Sequence, residues 1–516
     1  VGPAVALAVA LAACSGGARQ EAPAGLGAVV APGRVKALLA SADGRWLAWL
    51  DGCVEVQGRF LPPGTASCDL QVAPSSGGAP VRVARAVTTL PQGAGFAPEG
   101  GALAALADYD YEAGAGTLVL VRDGAPREVA RGVTFHAFVP AGGGALLAVA
   151  GGRLLAVAAD GSSRAVPGAD GVATFDLARG EVPPGGLAVL ARRPASAGGG
   201  LLAMKAGLEA ATPVAAGTSE YAFAPRGGAW GYTAVRPGGA ELFLGRGATA
   251  SLAARGARTF AFAADGSAAA WISEAAPGRQ GDLHAAAPGS PPALLGREVG
   301  EYRWAARAAR LAWLERYDPR SRSGVLGLGG PGAAPRTFGG HVTDFEISAD
   351  GAWVAFLRHT TDRGYSVDLE LAGTAAPAGQ APRRVARGVF GFGLSPDARW
   401  LYYRTRCTRN AEACDLERVP TADPAAPPVE LAKGVKSFEL DPRDPERLLV
   451  TWQRADLVAL DVALWEGGAL RSVDQGALPG SVRFLGPDSR RLAYAVVQPR
   501  RAGVYVADLS RAPPAR

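Results

Sequence analysis

Histidine is scarce in this chain of 516 residues: His136, His284, His341 and His359 are the only four, and none belongs to a short metal-binding motif. No Gly-x-Ser-x-Gly elbow is present and no α/β region follows the repeats described below, which argues against a fused serine hydrolase of the α/β type. The net charge is +6, but arginine is scattered among aspartate and glutamate. Without a basic run interleaved with aromatics, a nucleic-acid partner is not expected. No apolar run, that of the first residues included, is long enough to span a bilayer as a retained helix, and there is no long amphipathic helix. No histidine lies near the paired cysteines, so a zinc site is not expected there, and no cofactor is called for.

What the chain does have is glycine, proline and a repeated phrase, with Gly 71 and Pro 39 supplying many turns. Residues 390–403 hold its clearest copy. Phe390, Phe392 and Leu394 alternate with glycine, the period of a half-buried strand. Ser395-Pro396-Asp397-Ala398 is a turn, because proline presets φ and the Ser and Asp side chains bond nearby backbone. An aromatic strand, Trp400 to Tyr403, follows. Copies recur at Asp43, Glu99, Asp265, Asp350 and Asp488, with fainter ones near Gly142, Pro184, Arg226, Arg307 and Arg443. After a first step of 56 residues the spacing stays between 39 and 47. Such a period in an all-strand chain predicts propeller blades. A second marker keeps the phase: Arg131-Gly132-Val133, Gly340-His341-Val342, Arg387-Gly388-Val389 and Lys433-Gly434-Val435 each precede a turn by nine or ten residues. It reads as the end of a blade's outer strand, where glycine releases the chain.

Residues 1–13 are small and apolar and lead through Leu11-Ala12-Ala13 to Cys14. The stretch resembles a bacterial lipoprotein signal peptide, although no Lys or Arg precedes Arg19. The resemblance implies cleavage before Cys14 and acylation of that cysteine, and Ser15 after it implies sorting to the outer membrane, facing the periplasm. Residues 14–26 then form a flexible Gly/Ala/Pro tether. Export makes disulfides admissible. Cys53/Cys68 and Cys407/Cys414 occupy the same place in their repeats, each first cysteine seven residues after Trp46 or Trp400. Each pair is expected to cross the hairpin between second and third strands.

The fold class is therefore all-β: a β-propeller of about eleven four-stranded repeats. A strand near Ala28 to Ala31 is expected to complete the last blade, which otherwise lacks an outer strand. Eleven blades exceed the usual ring. The preferred division is two propellers in tandem, residues 27–257 with about five blades and 258–516 with about six. One oversized ring, or a ring with extra stacked sheets, is the alternative. The phrases at Ser41 to Trp49, Ser348 to Phe356 and Ser395 to Tyr403 resemble the TolB-like, WD-like β-propeller repeat, which implies the fold and transfers no binding residues.

For chemistry, His136 and His341 lie at or just before inner strands and could face a central channel together; the plainer reading is a lone polar residue each. Asp108, Asp110 and Glu112 could offer calcium ligands from one strand face, or form an exposed hairpin tip. The turn aspartates read as turn formers. Trp46, Trp230, Trp271, Trp353 and Trp400 read as packing residues rather than a ligand cage. The functional expectation is a lipid-anchored envelope scaffold that binds a protein, peptide or glycan. A propeller lyase or hydrolase acting on such a polymer is the competing class.

Overall fold

The computed structural model describes residues 25–511, apart from 141–142, 180–181, 183–185, 198, 238, 274, 276–279, 360–366, 377–378, 409, 411 and 454–458. Cys14 and residues 1–13 lie outside the described residues. Among those described there is no α-helix, only two short 3₁₀ turns at Ala195–Ala197 and Leu509–Arg511. Among the described residues no helix is long and apolar enough to cross a membrane.

The described residues form a β-propeller fold with eleven four-stranded antiparallel blades. We letter the strands a to d, from the inner edge outward. The first blade is Ala37–Ala40, Trp46–Glu55, Ala66–Pro74 and Val81–Thr88. The ninth is Phe392–Leu394, Trp400–Thr405, Cys414–Pro420 and Val429–Val435. Nine of the eleven turn phrases fall between strand a and strand b of a blade, among them the faint ones near Arg226, Arg307 and Arg443; those centred on Gly142 and Pro184 lie outside the described residues. The reason is visible in the strongest copies. Ser41 Oγ donates to Asp43 Oδ1 at 2.6 Å and accepts the Trp46 N–H at 2.9 Å. Ser348/Asp350/Trp353 and Ser395/Asp397/Trp400 repeat the arrangement. Two side chains thus satisfy the turn's backbone and leave the strands free to pair.

Passage from one blade to the next also has a fixed form. At ten of the eleven junctions a left-handed residue precedes the new inner strand: Ala86, Gly132, Gly171, Gly217, Gly256, Glu298, His341, Gly388, Gly434 and Gly476, with φ between 48° and 82°. The next residue is usually a buried Val or Ala that touches both blades. Val133, for example, pairs with Gly116 of one sheet and Ala150 of the next. Strand Ala125–Phe138 runs through such a junction unbroken, serving as d of the second blade and a of the third.

Packing between blades explains the alanine content. Ala48, Ala104, Ala270, Ala312, Ala355 and Ala493 occupy the same position in strand b, five residues after the turn centre, and all are fully buried. A small side chain there lets the neighbouring sheet approach. Eleven hydrophobic clusters result, each spanning one pair of consecutive blades. Each buried Leu, Val or Phe in them contributes about 1.5–3 kcal/mol, so these interfaces dominate the turns energetically.

The last cluster joins the eleventh blade to the first, through Leu485, Ala493 and Val504 against Leu38, Leu47 and Trp49. The outer strand of the eleventh blade is Ala28–Pro32, antiparallel to Gly503–Asp508 with Ala28 opposite Val506 and Pro32 opposite Gly503. The expected N-terminal closing strand is therefore present. Just before it, Leu26 N–H donates to Val473 O at 3.0 Å, and Gly25 lies against the buried Asp474 carboxylate. Asp474 is held by the Tyr494 hydroxyl and the Arg501 guanidinium, each at 2.8 Å. The cluster between the fifth and sixth blades, with Leu244 against Ala257 and Trp271, runs across residue 257, where a division into two rings is expected.

Candidate binding face and channel wall

Connections a–b and c–d of every blade lie at one end of the sheets, and this turn face is firmly braced. Ser75, Thr374 and Thr421, each just past strand c, donate to the turn carbonyls of Gly44, Gly351 and Ala398 at 2.6–2.7 Å. Arginines then staple blade to blade. Arg491 of the eleventh blade donates to Ser75 Oγ and Gly44 O of the first, both at 3.2 Å, and Arg310 of the seventh reaches Thr374 of the eighth. The sequence reading missed these caps, because the bond joins residues more than twenty positions apart. The available signal is a Ser or Thr at the same phase of the repeat.

Hollows open between blades on this face. One of about 630 Å³ separates the fourth and fifth blades. Trp230 and Tyr232 form part of its wall, with ring centroids 6.0 Å apart and planes 16° from parallel, and Phe243 stacks on Tyr232 at 4.9 Å. Lys205 and Glu209 stand at the rim with Ala, Pro and Val between them. A second hollow of about 410 Å³ lies between the eighth and ninth blades, against Trp353 and Trp400, and a third of about 270 Å³ between the third and fourth. These sizes fall around the lower and middle range of small-ligand sites.

The inner strands carry a separate row of charge. On the seventh blade, Arg303 Nη2 contacts Glu301 Oε1 at 2.6 Å and reaches Asp344 Oδ1 of the eighth at 3.3 Å, while its guanidinium covers the Phe345 ring at 4.8 Å. Two residues on from Asp344, Glu346 Oε2 accepts the Leu394 N–H of the ninth blade at 3.3 Å. Burial pushes the Glu346 carboxyl up to about 7, against the opposing pull of that hydrogen bond and of Arg303. Glu220 on the fifth blade is raised for the same reason, with Arg258 opposing. Asp176 of the fourth blade repeats the Glu346 contact, its Oδ2 accepting the Phe223 N–H of the fifth at 2.9 Å. A lone acid inside an apolar strand, as in Phe345-Glu346-Ile347, was the sequence signal for this row.

The expected channel histidines occupy different settings. His136 lies on an inner strand, opposite Ala148, with its Nδ1 buried and without a hydrogen-bond partner. Desolvation lowers it to about 4, partly offset by a hydrogen bond to the Ala104 backbone. His341 is exposed at a left-handed junction, and its carbonyl accepts the His359 N–H at 3.0 Å. His284 stacks on Trp271 at 5.9 Å. Asp110 Oδ1 caps the N–H groups of Glu112 and Ala113, while Asp108 sits in a left-handed bulge. Among the described residues no group of three or more His, Cys, Asp or Glu is placed to hold a metal.

Both disulfides, Cys53–Cys68 and Cys407–Cys414, are formed across the b–c hairpins at the opposite end. The tryptophans divide. Trp230 and Trp271 are buried, whereas Trp46, Trp353 and Trp400 keep part of their surface in solvent.

No family model matches the chain, and no curated protein matches it. Solved structures similar to it include a eukaryotic initiation factor, at 12% identity over 70% of this chain and 92% of that one with a TM-score of 0.41. Dipeptidyl peptidase 4 of Porphyromonas gingivalis is similar at 12% identity over 66% and 58%, TM-score 0.37. An oligogalacturonate lyase in complex with manganese is similar at 13% identity over 64% and 98%, TM-score 0.32.

Proposed function

We propose that this propeller is a binding module of the bacterial cell envelope, held to the outer membrane through acylated Cys14 and displaying its turn face to a protein, peptide or glycan ligand. The observation that carries the binding reading is the hollow between the fourth and fifth blades, about 630 Å³ with a stacked aromatic wall and one charge of each sign at its rim. Rigid blades on both sides make such a site preformed, which lowers the ordering cost of binding. The disulfides support an oxidising compartment, and residues 1–14 support lipidation. We further propose one ring of eleven blades, since the interblade clusters run from first to last and back to the first.

Plugging the hollow tests the binding reading. Ala203→Trp and Ala250→Trp are expected to abolish capture of a fluorescent peptide or glycan panel while thermal unfolding stays cooperative; unchanged capture by both plugs would sink it. Lipidation is tested by radiolabelled palmitate, which Cys14→Ser is expected to exclude. The row of Glu301, Arg303, Asp344 and Glu346 favours a second reading, a lyase or hydrolase that uses the inner wall, since a buried carboxyl raised as Glu346 is raised is typical of catalytic sites. Polymer turnover that Glu346→Gln removes would select it.

A further inference from the structure

We propose that the hollow between the eighth and ninth blades is a saccharide site in which Trp353 and Trp400 each bear one sugar ring. This extends the binding reading to a second site and names its ligand class. The two tryptophans occupy one repeat position, three residues after Asp350 and Asp397, and both line the same hollow of about 410 Å³. The other nine blades never place tryptophan there in succession; blade seven has Arg310 and blade ten Glu446. An aromatic pair repeated by the blade period forms a platform with a built-in spacing, suited to a ligand that itself repeats.

Both rings are fixed before any ligand arrives. Trp400 is clamped by Arg418, whose guanidinium lies 3.9 Å from the ring centroid, and its Nε1 donates to Glu446 at 2.7 Å. Trp353 rests on Gly373, where even a Cβ would come within 3.4 Å of the ring. Each keeps part of its surface in water, which is costly for indole unless a ligand uses it.

The polar groups of the hollow select among ligands. Arg399 is ion-paired with Asp397, so the walls offer little free positive charge to a phosphate or a polyanion. Asp350 Oδ1 is spent on Ser348 and the Ala352 N–H, leaving Oδ2 to accept hydroxyls. Flat apolar faces beside a free carboxylate oxygen match a neutral pyranose, with its apolar C–H face and ring of hydroxyl donors. A purely apolar ligand would leave the carboxylates desolvated and unpaired.

Calorimetric titration of the full chain with cellohexaose, chitohexaose and an uncharged hexapeptide tests the assignment. One oligosaccharide is expected to bind, Trp353→Ala and Trp400→Ala each to weaken it at least tenfold, and Asp350→Asn severalfold. Trp353→Phe keeps the packing with a smaller ring and is expected to lose about threefold, which separates lost stacking from lost folding. Trp46→Ala, at the same repeat position of the first blade, is expected to leave affinity unchanged. Absence of oligosaccharide binding, binding indifferent to both tryptophans, or preference for the peptide would each overturn it. None of these results bears on the plugged hollow between the fourth and fifth blades, so the two readings fail separately.

Discussion

Burial sets the charge of two inner-strand residues in opposite senses. Glu346, raised to about 7, binds its proton more tightly in the folded chain than in the unfolded one, where a carboxyl titrates near 4.5. Its favourable contribution is complete below that lower value and is lost as pH rises through 7. Above pH 7 the buried carboxylate is expected to cost about 2 kcal/mol, at 1.36 kcal/mol per pKa unit with a discount for residual solvent. His136 runs the other way: lowered from 6.5 to about 4, it contributes fully above 6.5 and loses that contribution as pH falls toward 4. Denaturant titrations across pH 4–8 should therefore show Glu346→Gln removing a loss of stability as pH rises from 4.5 to 7, and His136→Gln removing a gain as pH rises from 4 to 6.5. Coincident curves for variants and parent would refute both assignments. Neither effect was legible in the sequence, where a histidine and a glutamate on a strand carry no mark of what covers them.

Among the elements, the turns were legible and the junctions only partly so. A Ser-x-Asp phrase followed by an aromatic is local, so its hydrogen bonds are written in six consecutive residues. The junction marker was read through glycine, which hid the two places where Ala86 and Glu298 adopt the left-handed conformation; at His341 the marker was found, but it is the histidine and not Gly340 that takes this conformation. For an L-residue that conformation costs roughly 1–2 kcal/mol. Ala86→Gly, Glu298→Gly and His341→Gly should each stabilise the protein by about 0.5–1 kcal/mol in chemical denaturation, once the looser unfolded chain is counted. Gly132→Ala and Gly388→Ala should destabilise by about 1 kcal/mol through φ alone, because an added Cβ meets no atom within 4 Å at either position. Equal stabilities across the series would mean the junctions are not strained. For His341 the glycine variant also separates a backbone role from a chemical one.

At the scale of the molecule, the closing strand Ala28–Pro32 covers the edge of Gly503–Asp508, and its Val30 and Ala31 are buried. Deleting residues 28–32 is expected to cost about 3–5 kcal/mol, read as a lowered melting temperature, and to promote aggregation through the bared edge. A synthetic peptide of residues 25–36 should restore part of the loss by strand addition. An unchanged melting temperature would show that closure does not depend on this strand. The sequence located it because one blade arrived without its fourth strand; the composition offered no linker from which to fix a boundary between rings.

The seam has a further consequence for synthesis. Ala28 and Val506, paired across it, stand 478 positions apart, so this long-range contact is expected to form late in folding. Until then every nascent molecule is an arc with two bare ends, and if the front end is tethered to a bilayer, neighbouring arcs are held close enough to exchange strands. Whatever attends the folding chain therefore has to shield the bared edge of Gly503–Asp508 until Ala28–Pro32 reaches it.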